Sequence, residues 1–412
     1  MAEDEKTDGG PQSDPREQRI LLAALNSFRQ YRSAAHYNIT HLRRQSFYSL
    51  SAEHLDILCE QQIDFPGFLR EVDSAVDHNA DIAEAIYHHG VRMFNIDRLA
   101  TPNIGSTTPN DVDKAQSTIK QLYRDWSSEG APERNASCDP ILAALTTYLP
   151  APSSERHKYH VLVPGAGLGR LLFEIVKAGY TATGNEISYH QMMASSYMLN
   201  ATTTPGQHIL HPWVHSFSNH RRREDQLQQV LIPDVLPAIV LYATPSDVHW
   251  SQRMSMASGD FCVVYKQPEY QDKFDAVTTC FFIDTAPNVI HYIETVKHCL
   301  RTGGLWINHG PLQWHFESCP TPAEAARKHD DANSTTTNVG SLEIQPTATK
   351  DGIGEAGSFE LTDAEIQQLL VRLGFEVLET KVAPSGDTGY IHNPQSMLQT
   401  AYRPSFWVAK KL

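Results

Sequence analysis

The stretch HVLVPGAGLGR, residues 160–170, decides the fold of this chain. Its apolar start is typical of a buried strand, and the Gly-x-Gly-x-Gly that follows leads into a helical pattern. Glycine lets a backbone turn sharply and approach a ligand, and a helix start presents free N–H groups. Gly165 and Gly167 are therefore predicted to contact a cofactor; the alternative is a tight turn without a ligand. Arg170 stands where dinucleotide-binding folds place another glycine, which favours a cofactor without a pyrophosphate.

Acidic residues close the next two segments. Glu186 lies about 20 residues beyond the first glycine, where a carboxylate accepts hydrogen bonds from ribose hydroxyls. If a third strand ends at this point, Asp260 can bind an adenine amino group and Phe261 can stack on its ring; the alternative is a surface turn. Together these features predict S-adenosylmethionine (SAM) as co-substrate, without a metal, in the arrangement of class I methyltransferases.

Strand-like and helical patterns alternate after residue 159. This alternation predicts a doubly wound, Rossmann-like α/β sheet. Two strands close the chain with no helix between them, so the sheet is predicted to have an antiparallel end strand. The predicted strands are 160–163, 180–184, 276–283, 305–308, 375–380 and 405–410, and the predicted helices are 171–178, 188–200, 288–300 and 363–373.

The part of the chain before residue 150 shows only helical periodicity. Residues 1–15 lack apolar anchors and are predicted to form a disordered tail. Residues 16–150 are predicted to be a helical N-terminal region, and 151–412 the methyltransferase domain. A Ser-, Thr- and Gly-rich segment at about 328–358 is predicted to be a flexible surface insertion.

Composition narrows the functional classes. The chain has 412 residues and a formal net charge of −14, which argues against a dedicated nucleic-acid binder. No apolar run reaches the roughly 20 residues that a membrane helix needs. The N-terminus has no apolar signal segment, and the six cysteines form no CxxC pair. These features predict unpaired thiols, no metal site and a cytoplasmic protein, with the nucleus as a second candidate compartment.

Six further runs are more specific than a cofactor fold. They are STIKQLYRDWS (117–127), VLVPGAGLGRL (161–171), GNE (184–186), HPWVHSFSN (211–219), TTCFFIDTAPNVIHYIE (278–294) and GGLWINHGPLQWHFE (303–317). These runs resemble the carnosine N-methyltransferase family, whose members use SAM to methylate the imidazole of carnosine (β-alanyl-histidine), which gives anserine. The similarity extends from about residue 16 to the C-terminus, with interruptions at 100–110 and 328–358. It implies that the helical region at 16–150 contributes to the cofactor site.

The resemblance implies further cofactor contacts. Gln121 and Arg124 match positions that hold the methionine end of SAM, and an arginine suits a carboxylate because it binds in a bidentate fork. For Arg124 the alternative is a solvated helix face or an ion pair with Asp125 or Glu133. Cys280 matches a position that lines the cofactor, and the alternative there is a plain buried thiol.

On the substrate side, Asp284, His315 and Tyr402 match positions that contact carnosine. A carboxylate at Asp284 can accept the N–H of a neutral imidazole, which fixes the tautomer and leaves the other nitrogen with its lone pair. The alternative for Asp284 is an N-cap of the helix predicted from Asn288. His315 can hydrogen-bond to the substrate ring, stack on it or receive its proton, unless it is simply structural. Tyr402 can bind the peptide part or the imidazole, unless it is an aromatic packed on the sheet edge.

The sequence therefore predicts a SAM-dependent N-methyltransferase acting on carnosine or a related His-containing dipeptide. Catalysis would be mainly positional, with nitrogen, methyl carbon and sulfur held in line. Two rivals remain: a histidine methyltransferase for a protein or peptide that docks on the helical region, and a SAM-binding protein without turnover. The helical region could also form a homodimer surface.

Overall fold

The computed structural model describes residues 14–96, 107–244, 246–317, 359–382 and 388–412. Most of the tail predicted at 1–15 and the whole insertion predicted at 328–358 lie outside these ranges. The helical part begins at the end of that tail, because the Asp14 carboxylate accepts a hydrogen bond from the Arg16 N–H at 2.8 Å and caps a helix that starts at Pro15.

The chain forms two compact units. The first comprises Met1–Arg134, Ser188–Val240 and Tyr390–Thr400, and the second comprises Asn135–Ile187, Leu241–Gly389 and Ala401–Leu412. The division into a helical region up to residue 150 and a methyltransferase domain after it stays a prediction.

The helices Pro15–Ala35, Phe65–Met93 and Pro109–Trp126 carry buried apolar faces with the expected period of three to four. A π-helical segment, His36–His41, directly follows the first of these. In chain order the helices are α1 Pro15–Ala35, α2 Leu42–Tyr48, α3 Ala52–Cys59, α4 Phe65–Met93, α5 Pro109–Trp126, α6 Ala131–Tyr148, α7 Arg170–Lys177, α8 Tyr189–Asn200, α9 Arg223–Gln226, α10 Pro237–Tyr242, α11 Trp250–Arg253, α12 Phe261–Tyr265, α13 Val289–Cys299 and α14 Asp363–Arg372.

Helix α4 is longer than the sequence pattern indicates. The apolar periodicity predicts separate helices at 68–76 and 82–93, but the structure has one helix over both. The polar residues in between are tolerated because Asn79, although buried, exchanges two hydrogen bonds with the backbone of His211, at 2.9 and 2.8 Å. The Asn79–His211 hydrogen bonds therefore stabilise the helix at the point where the apolar pattern is interrupted.

The second unit contains a seven-stranded sheet. Its strands are β1 His160–Pro164, β2 Thr181–Glu186, β5 Met254–Ser258, β6 Phe274–Cys280, β7 Leu300–Gly310, β8 Phe375–Val382 and β9 Ser405–Lys411. The first unit contains a separate antiparallel pair of strands, β3 His208–Leu210 and β4 Val230–Ile232. The order in the large sheet is β5-β2-β1-β6-β7-β9-β8. The first five strands of that order run parallel, and β9 is antiparallel to both β7 and β8. The predicted doubly wound sheet with an antiparallel end is confirmed.

One face of the sheet carries an aromatic core. The Trp306 and Trp407 rings, from β7 and β9, lie 4.9 Å apart in an edge-on contact, and Phe375 of β8 packs against Trp306. All three side chains are almost completely buried. Burying a large aromatic contributes on the order of 2–3 kcal/mol to stability, so this cluster is expected to hold the antiparallel end against the parallel part of the sheet.

Two strand ends differ by three residues or more from the sequence expectation, and both differences have a local cause. Strand β6 ends at Cys280 instead of 283, because Phe281 has a φ of +53° and the next residues form a 3₁₀ turn at Ile283–Thr285. Strand β7 starts at Leu300, although the Gly303-Gly304 pair is typical of a helix end. The pairing with β6 shifts there, from Phe274–Leu300 to Ala276–Leu305, so the glycines lie in an irregular part of the strand.

Two further properties concern the described residues. Their five cysteines form no disulfide bond with one another. Within the described ranges, no helix combines the length and the apolar character needed to cross a membrane.

Buried histidines are a feature of the first unit. His190 pairs with the Ser27 hydroxyl at 3.0 Å, His211 with the Leu227 carbonyl at 3.0 Å, and His215 with the Tyr31 hydroxyl at 2.6 Å. Burial lowers the pKa of each of these imidazoles to about 4. They are therefore neutral in the folded protein at pH values where the unfolded chain protonates them.

This difference predicts acid sensitivity. The unfolded chain takes up protons near pH 6.5 and the folded chain only near pH 4, so the free energy of unfolding should fall as the pH drops through that window. Urea unfolding at a series of pH values measures the slope. His190→Gln should reduce the slope of the unfolding free energy against pH by the equivalent of up to one bound proton. The same change at the exposed His54 serves as the control and should leave the slope as in wild type. An equal slope in His190→Gln and wild type would contradict the assignment.

Candidate active site

The glycine turn joins β1 to α7 at the carboxyl end of the sheet. Gly165, Gly167 and Gly169 have φ values of +64°, +56° and +77°, a region that costs glycine nothing and other residues about 1–2 kcal/mol. A Cβ on Gly165 would lie 2.5 Å from the Phe282 ring. The N–H of Ala166 donates to the carbonyl of Asn185 at 2.9 Å and ties the turn to β2.

Glu186, the last residue of β2, holds this turn in place. Its Oε2 accepts a hydrogen bond from the Gly167 N–H and its Oε1 one from the Ile187 N–H, both at 2.9 Å. Its carbonyl accepts from the Gly259 N–H at 3.1 Å, just beyond β5. The side chain is buried. One glutamate thus connects the carboxyl ends of three adjacent strands, which is where ligands bind to sheets of this kind.

Asp260 and Phe261 follow β5 and begin α12. The Asp260 carboxylate caps that helix by accepting the Val263 N–H at 3.0 Å. Phe261 is buried, with its ring 5.6 Å from Phe282 and 5.6 Å from Tyr292, both edge-on. The third strand that the sequence reading required is present, and the two residues lie at its carboxyl end. Their contacts with adenine stay predictions.

Asp284 lies beyond β6 and is almost fully buried. Its Oδ2 accepts a hydrogen bond from the Gln313 N–H at 2.9 Å, and its carbonyl accepts one from the His315 N–H at 3.0 Å. Burial raises the pKa of the Asp284 carboxyl group, and the Gln313 hydrogen bond and the nearby His315 oppose that rise only in part. The alternative role as an N-cap is wrong, because Asn288 caps α13 through the Ile290 N–H.

Tyr402 lies next to the same segment. Its hydroxyl donates to Oε1 of Gln313 at 2.6 Å, and its ring meets that of Phe281 edge-on at 5.9 Å. Asp284, His315 and Tyr402 are therefore brought together around residues 313–315, as a common substrate site requires. Sequence reasoning missed Phe281 and Gln313. The only available signal was their place in the long motifs, since nothing in the local pattern predicts the left-handed turn at Phe281.

Cys280 ends β6 and is partly buried, directly across from His309 of β7 in the strand pairing. Gln121 and Arg124 lie in the other unit, on α5. Gln121 is buried and donates to the Ser117 hydroxyl at 3.2 Å. The Arg124 guanidinium forms a two-pronged ion pair with Asp125, at 2.7 and 3.0 Å, so the ion pair foreseen as the alternative for Arg124 is present. The SAM contacts of all three residues stay predictions.

The sheet order and this site define the class of the protein. A mostly parallel seven-stranded sheet with an antiparallel end, a glycine turn after β1 and a buried acid at the end of β2 are the features of a class I methyltransferase. Solved methyltransferases overlay only loosely. The alignment with magnesium protoporphyrin IX methyltransferase from Synechocystis covers 78% of this chain and 96% of that protein, at 11% identity and a TM-score of 0.33.

The family follows from sequence comparison. The family model described as "Carnosine N-methyltransferase" matches residues 103–412. The chain is 36% identical over 398 residues to carnosine N-methyltransferase of Schizosaccharomyces pombe, covering 96% of this chain and 97% of that protein. It is 36% identical over 333 residues to the mouse enzyme of the same name, covering 80% and 79%. This chain belongs to the carnosine N-methyltransferase family.

The glycine turn yields a stability prediction with a built-in control. Gly165→Ala adds both the cost of a positive φ and an overlap with Phe282, whereas Gly303→Ala has a similar φ of +78° and no atom within 4 Å of the new Cβ. We expect Gly303→Ala to cost about 1 kcal/mol and Gly165→Ala about 1–3 kcal/mol more, measured by urea unfolding. Equal losses would show that the Phe282 contact does not require glycine.

Proposed function

We propose that this protein transfers the methyl group of SAM to an imidazole nitrogen of carnosine or of a related His-containing dipeptide. The observation that carries the proposal is the buried Asp284 carboxylate, held by the Gln313 N–H beside His315 and close to Tyr402. A carboxylate in this setting suits the N–H of an imidazole. Family membership supports carnosine as the acceptor, since relatives bear that name.

The residues present fit SAM. The glycine turn offers backbone N–H groups without obstructing Cβ atoms, and the adjoining Glu186 carboxylate suits ribose hydroxyls. Asp260 and Phe261 are the proposed adenine contacts, Cys280 a lining residue, and Gln121 and Arg124 the proposed partners of the methionine end. Among the described residues, no group of three His, Cys, Asp or Glu side chains is placed to hold a metal ion. Bound SAM supplies an electrophilic methyl group on a positively charged sulfur.

Asp284 has the central role in the proposed reaction. Its Oδ2 is occupied by the Gln313 N–H, and we assign Oδ1 to the N–H of the substrate imidazole. That hydrogen bond selects the tautomer whose other nitrogen carries the lone pair. This nitrogen forms the new N–C bond while the methyl C–S bond breaks and its electron pair stays on sulfur. Because burial raises the pKa of Asp284, its carboxylate is more basic and stabilises the positive charge that develops on the ring.

His315 and Tyr402 complete the proposed acceptor site. The His315 side chain is exposed, so it can hydrogen-bond to the bound acceptor, or it can take up the proton that the methylated imidazole loses and pass it to solvent. Tyr402 is oriented by Gln313 and Phe281, and its hydroxyl and ring edge suit the peptide part of a dipeptide.

We further propose that the reaction takes place in the cytoplasm and nucleus, where the five described cysteine thiols would stay reduced. We also propose that the protein forms a homodimer through the helical region.

The first experiment is direct. Purified protein is incubated with SAM and carnosine, homocarnosine or Gly-His, and mass spectrometry detects a product heavier by one methylene unit. Methylation of a dipeptide supports the proposal. If radiolabelled SAM in a lysate marks protein bands and no dipeptide, the protein histidine methyltransferase replaces it. Calorimetric binding of SAM without any transfer would indicate a binding protein.

Asp284→Asn tests the role of the carboxylate. The amide retains the size but not the charge, and it can hold the imidazole in the wrong tautomer, so kcat/KM for carnosine should fall by roughly 10²- to 10⁴-fold. SAM affinity, measured by calorimetry, should change little, which shows that the variant is folded. Asp56→Asn on the exposed surface of α3 is the matched control and should be fully active. Near-wild-type transfer by Asp284→Asn would refute the tautomer argument.

Glu186→Gln tests the cofactor half separately. The amide has one acceptor oxygen for two backbone N–H groups, so the turn loosens and the ribose acceptor weakens. We expect the Kd for SAM to rise about tenfold, equivalent to about 1.4 kcal/mol, with a smaller change in the KM for carnosine. Glu376→Gln, on the exposed part of β8, serves as the control. An unchanged Kd in Glu186→Gln would remove Glu186 from the cofactor site.

A further inference from the structure

His309 is a buried polar side chain that the proposed reaction does not use. It lies near the carboxyl end of β7 and is 1% exposed. Neither ring nitrogen has a hydrogen-bond partner among the residues that the structure describes. Leaving a buried donor or acceptor unpaired costs about 1–3 kcal/mol, so folded proteins rarely do so without a functional reason.

The position of His309 connects it to the acceptor site. Its carbonyl accepts the Phe281 N–H at 2.9 Å, and its ring centre lies 6.3 Å from that of Phe281, the residue that contacts Tyr402. On the other side its ring lies 6.4 Å from Phe406 of β9. His309 is therefore one residue removed from the group formed by Asp284, Gln313 and Tyr402.

The pleat of the sheet gives the direction of the side chain. His309 pairs with Cys280, and paired residues of neighbouring strands share a face. The adjacent pair, Thr279 and Asn308, faces the opposite side, where the Thr279 hydroxyl donates to Asn308 at 2.9 Å and accepts from Trp306 at 2.9 Å. Thr278, on the same face as Cys280, also has a buried hydroxyl without a partner in the described part of the chain. The opposite face also has partnerless polar atoms in the described part of the chain, the Asn308 amide nitrogen and the Trp407 indole nitrogen. Among the described residues, only His309 has two such atoms.

The chemistry of the missing partner follows from the imidazole. Burial lowers the pKa of His309 to about 4, so at neutral pH its ring has one N–H donor and one acceptor nitrogen. A peptide amide offers the complementary pair, a carbonyl acceptor and an N–H donor. The imidazole of the acceptor is already assigned to Asp284. Of the remaining polar groups of a dipeptide, the carboxylate only accepts and the ammonium only donates, so the amide alone matches both nitrogens of a neutral imidazole.

We infer that His309 is a specificity-determining residue of the acceptor site, whose ring hydrogen-bonds to the peptide amide of the dipeptide, directly or through one bound water. This inference rests on the proposed function, because it names a further contact of the same acceptor. The dipeptide restores hydrogen bonds that the free protein lacks, so His309 favours an amide-containing acceptor over a bare imidazole.

The test compares two acceptors in two variants. Carnosine contains the amide and 4-methylimidazole does not. His309→Leu removes both polar atoms at similar volume, and His309→Gln keeps a donor and an acceptor. For His309→Leu we expect the KM for carnosine to rise about tenfold and kcat/KM for 4-methylimidazole to stay near wild type. His309→Gln should recover part of the loss. His298→Leu, in the same unit on α13, is the control and should match wild type for both acceptors.

A stability measurement separates this role from a structural one. Because the ring nitrogens are unpaired in the free protein, His309→Leu should not lower its Tm, and SAM affinity should be unchanged. A lower Tm with an unchanged KM for carnosine would mean that His309 only binds a structural water and would overturn the inference. Equal losses for carnosine and 4-methylimidazole would also overturn it. If wild type methylates no dipeptide at all, the proposed function itself fails, and that result is read from the wild-type assay alone.

Discussion

The buried carboxylate of Glu186 is the constraint on which the cofactor half of the site depends. A buried carboxylate is stable only where hydrogen bonds replace its hydration, and here two backbone N–H groups do so. One of them belongs to the glycine turn, so desolvation of the acid and the shape of the turn are coupled. The Glu186 carbonyl extends the same link to Gly259 at the end of β5. The ends of β1, β2 and β5 therefore form one rigid edge rather than three independent loops.

In the acceptor half, backbone hydrogen bonds hold a different buried carboxylate, that of Asp284. There the backbone beyond β7 closes over Asp284 and hydrogen-bonds to its side chain and its carbonyl. The turn begins with Phe281, whose left-handed φ carries a strain cost that the packing of β6 against β7 must offset. Ordering such a segment costs conformational entropy, and an ordered segment of this kind is expected where its groups position a substrate. On the cofactor side a carboxylate holds a glycine turn, and on the acceptor side the backbone beyond β7 holds a carboxylate, so both halves depend on hydrogen bonds between residues 19 or more positions apart.

Much of this organisation follows from local sequence features. The strand after residue 159, the glycine turn and the acid at 186 are within one β-α-β unit, where dihedral preferences and side-chain period act over a few residues. The N-cap of α14 is local in the same way, because Thr362 forms a full capping box with Glu365 three residues later. The short strands β3 and β4, three residues each, give no recognisable alternation and were not predicted. Helix α4 runs past its polar midpoint because Asn79 meets His211, which lies 132 residues away.

The sequence by itself determined the fold class, the antiparallel end of the sheet, the glycine turn and the acid that supports it, because each depends on periodicity or on a conformation that only certain residues adopt. Family motifs added Asp284, His315 and Tyr402 as candidates. Only the tertiary structure decided that these three lie together, that Gln313 and Phe281 join them and that His309 is buried with no hydrogen-bond partner for its ring among the described residues. Those facts depend on strand register and on contacts between residues 29 or more positions apart, as between Asp284 and Gln313, and no local pattern encodes such contacts.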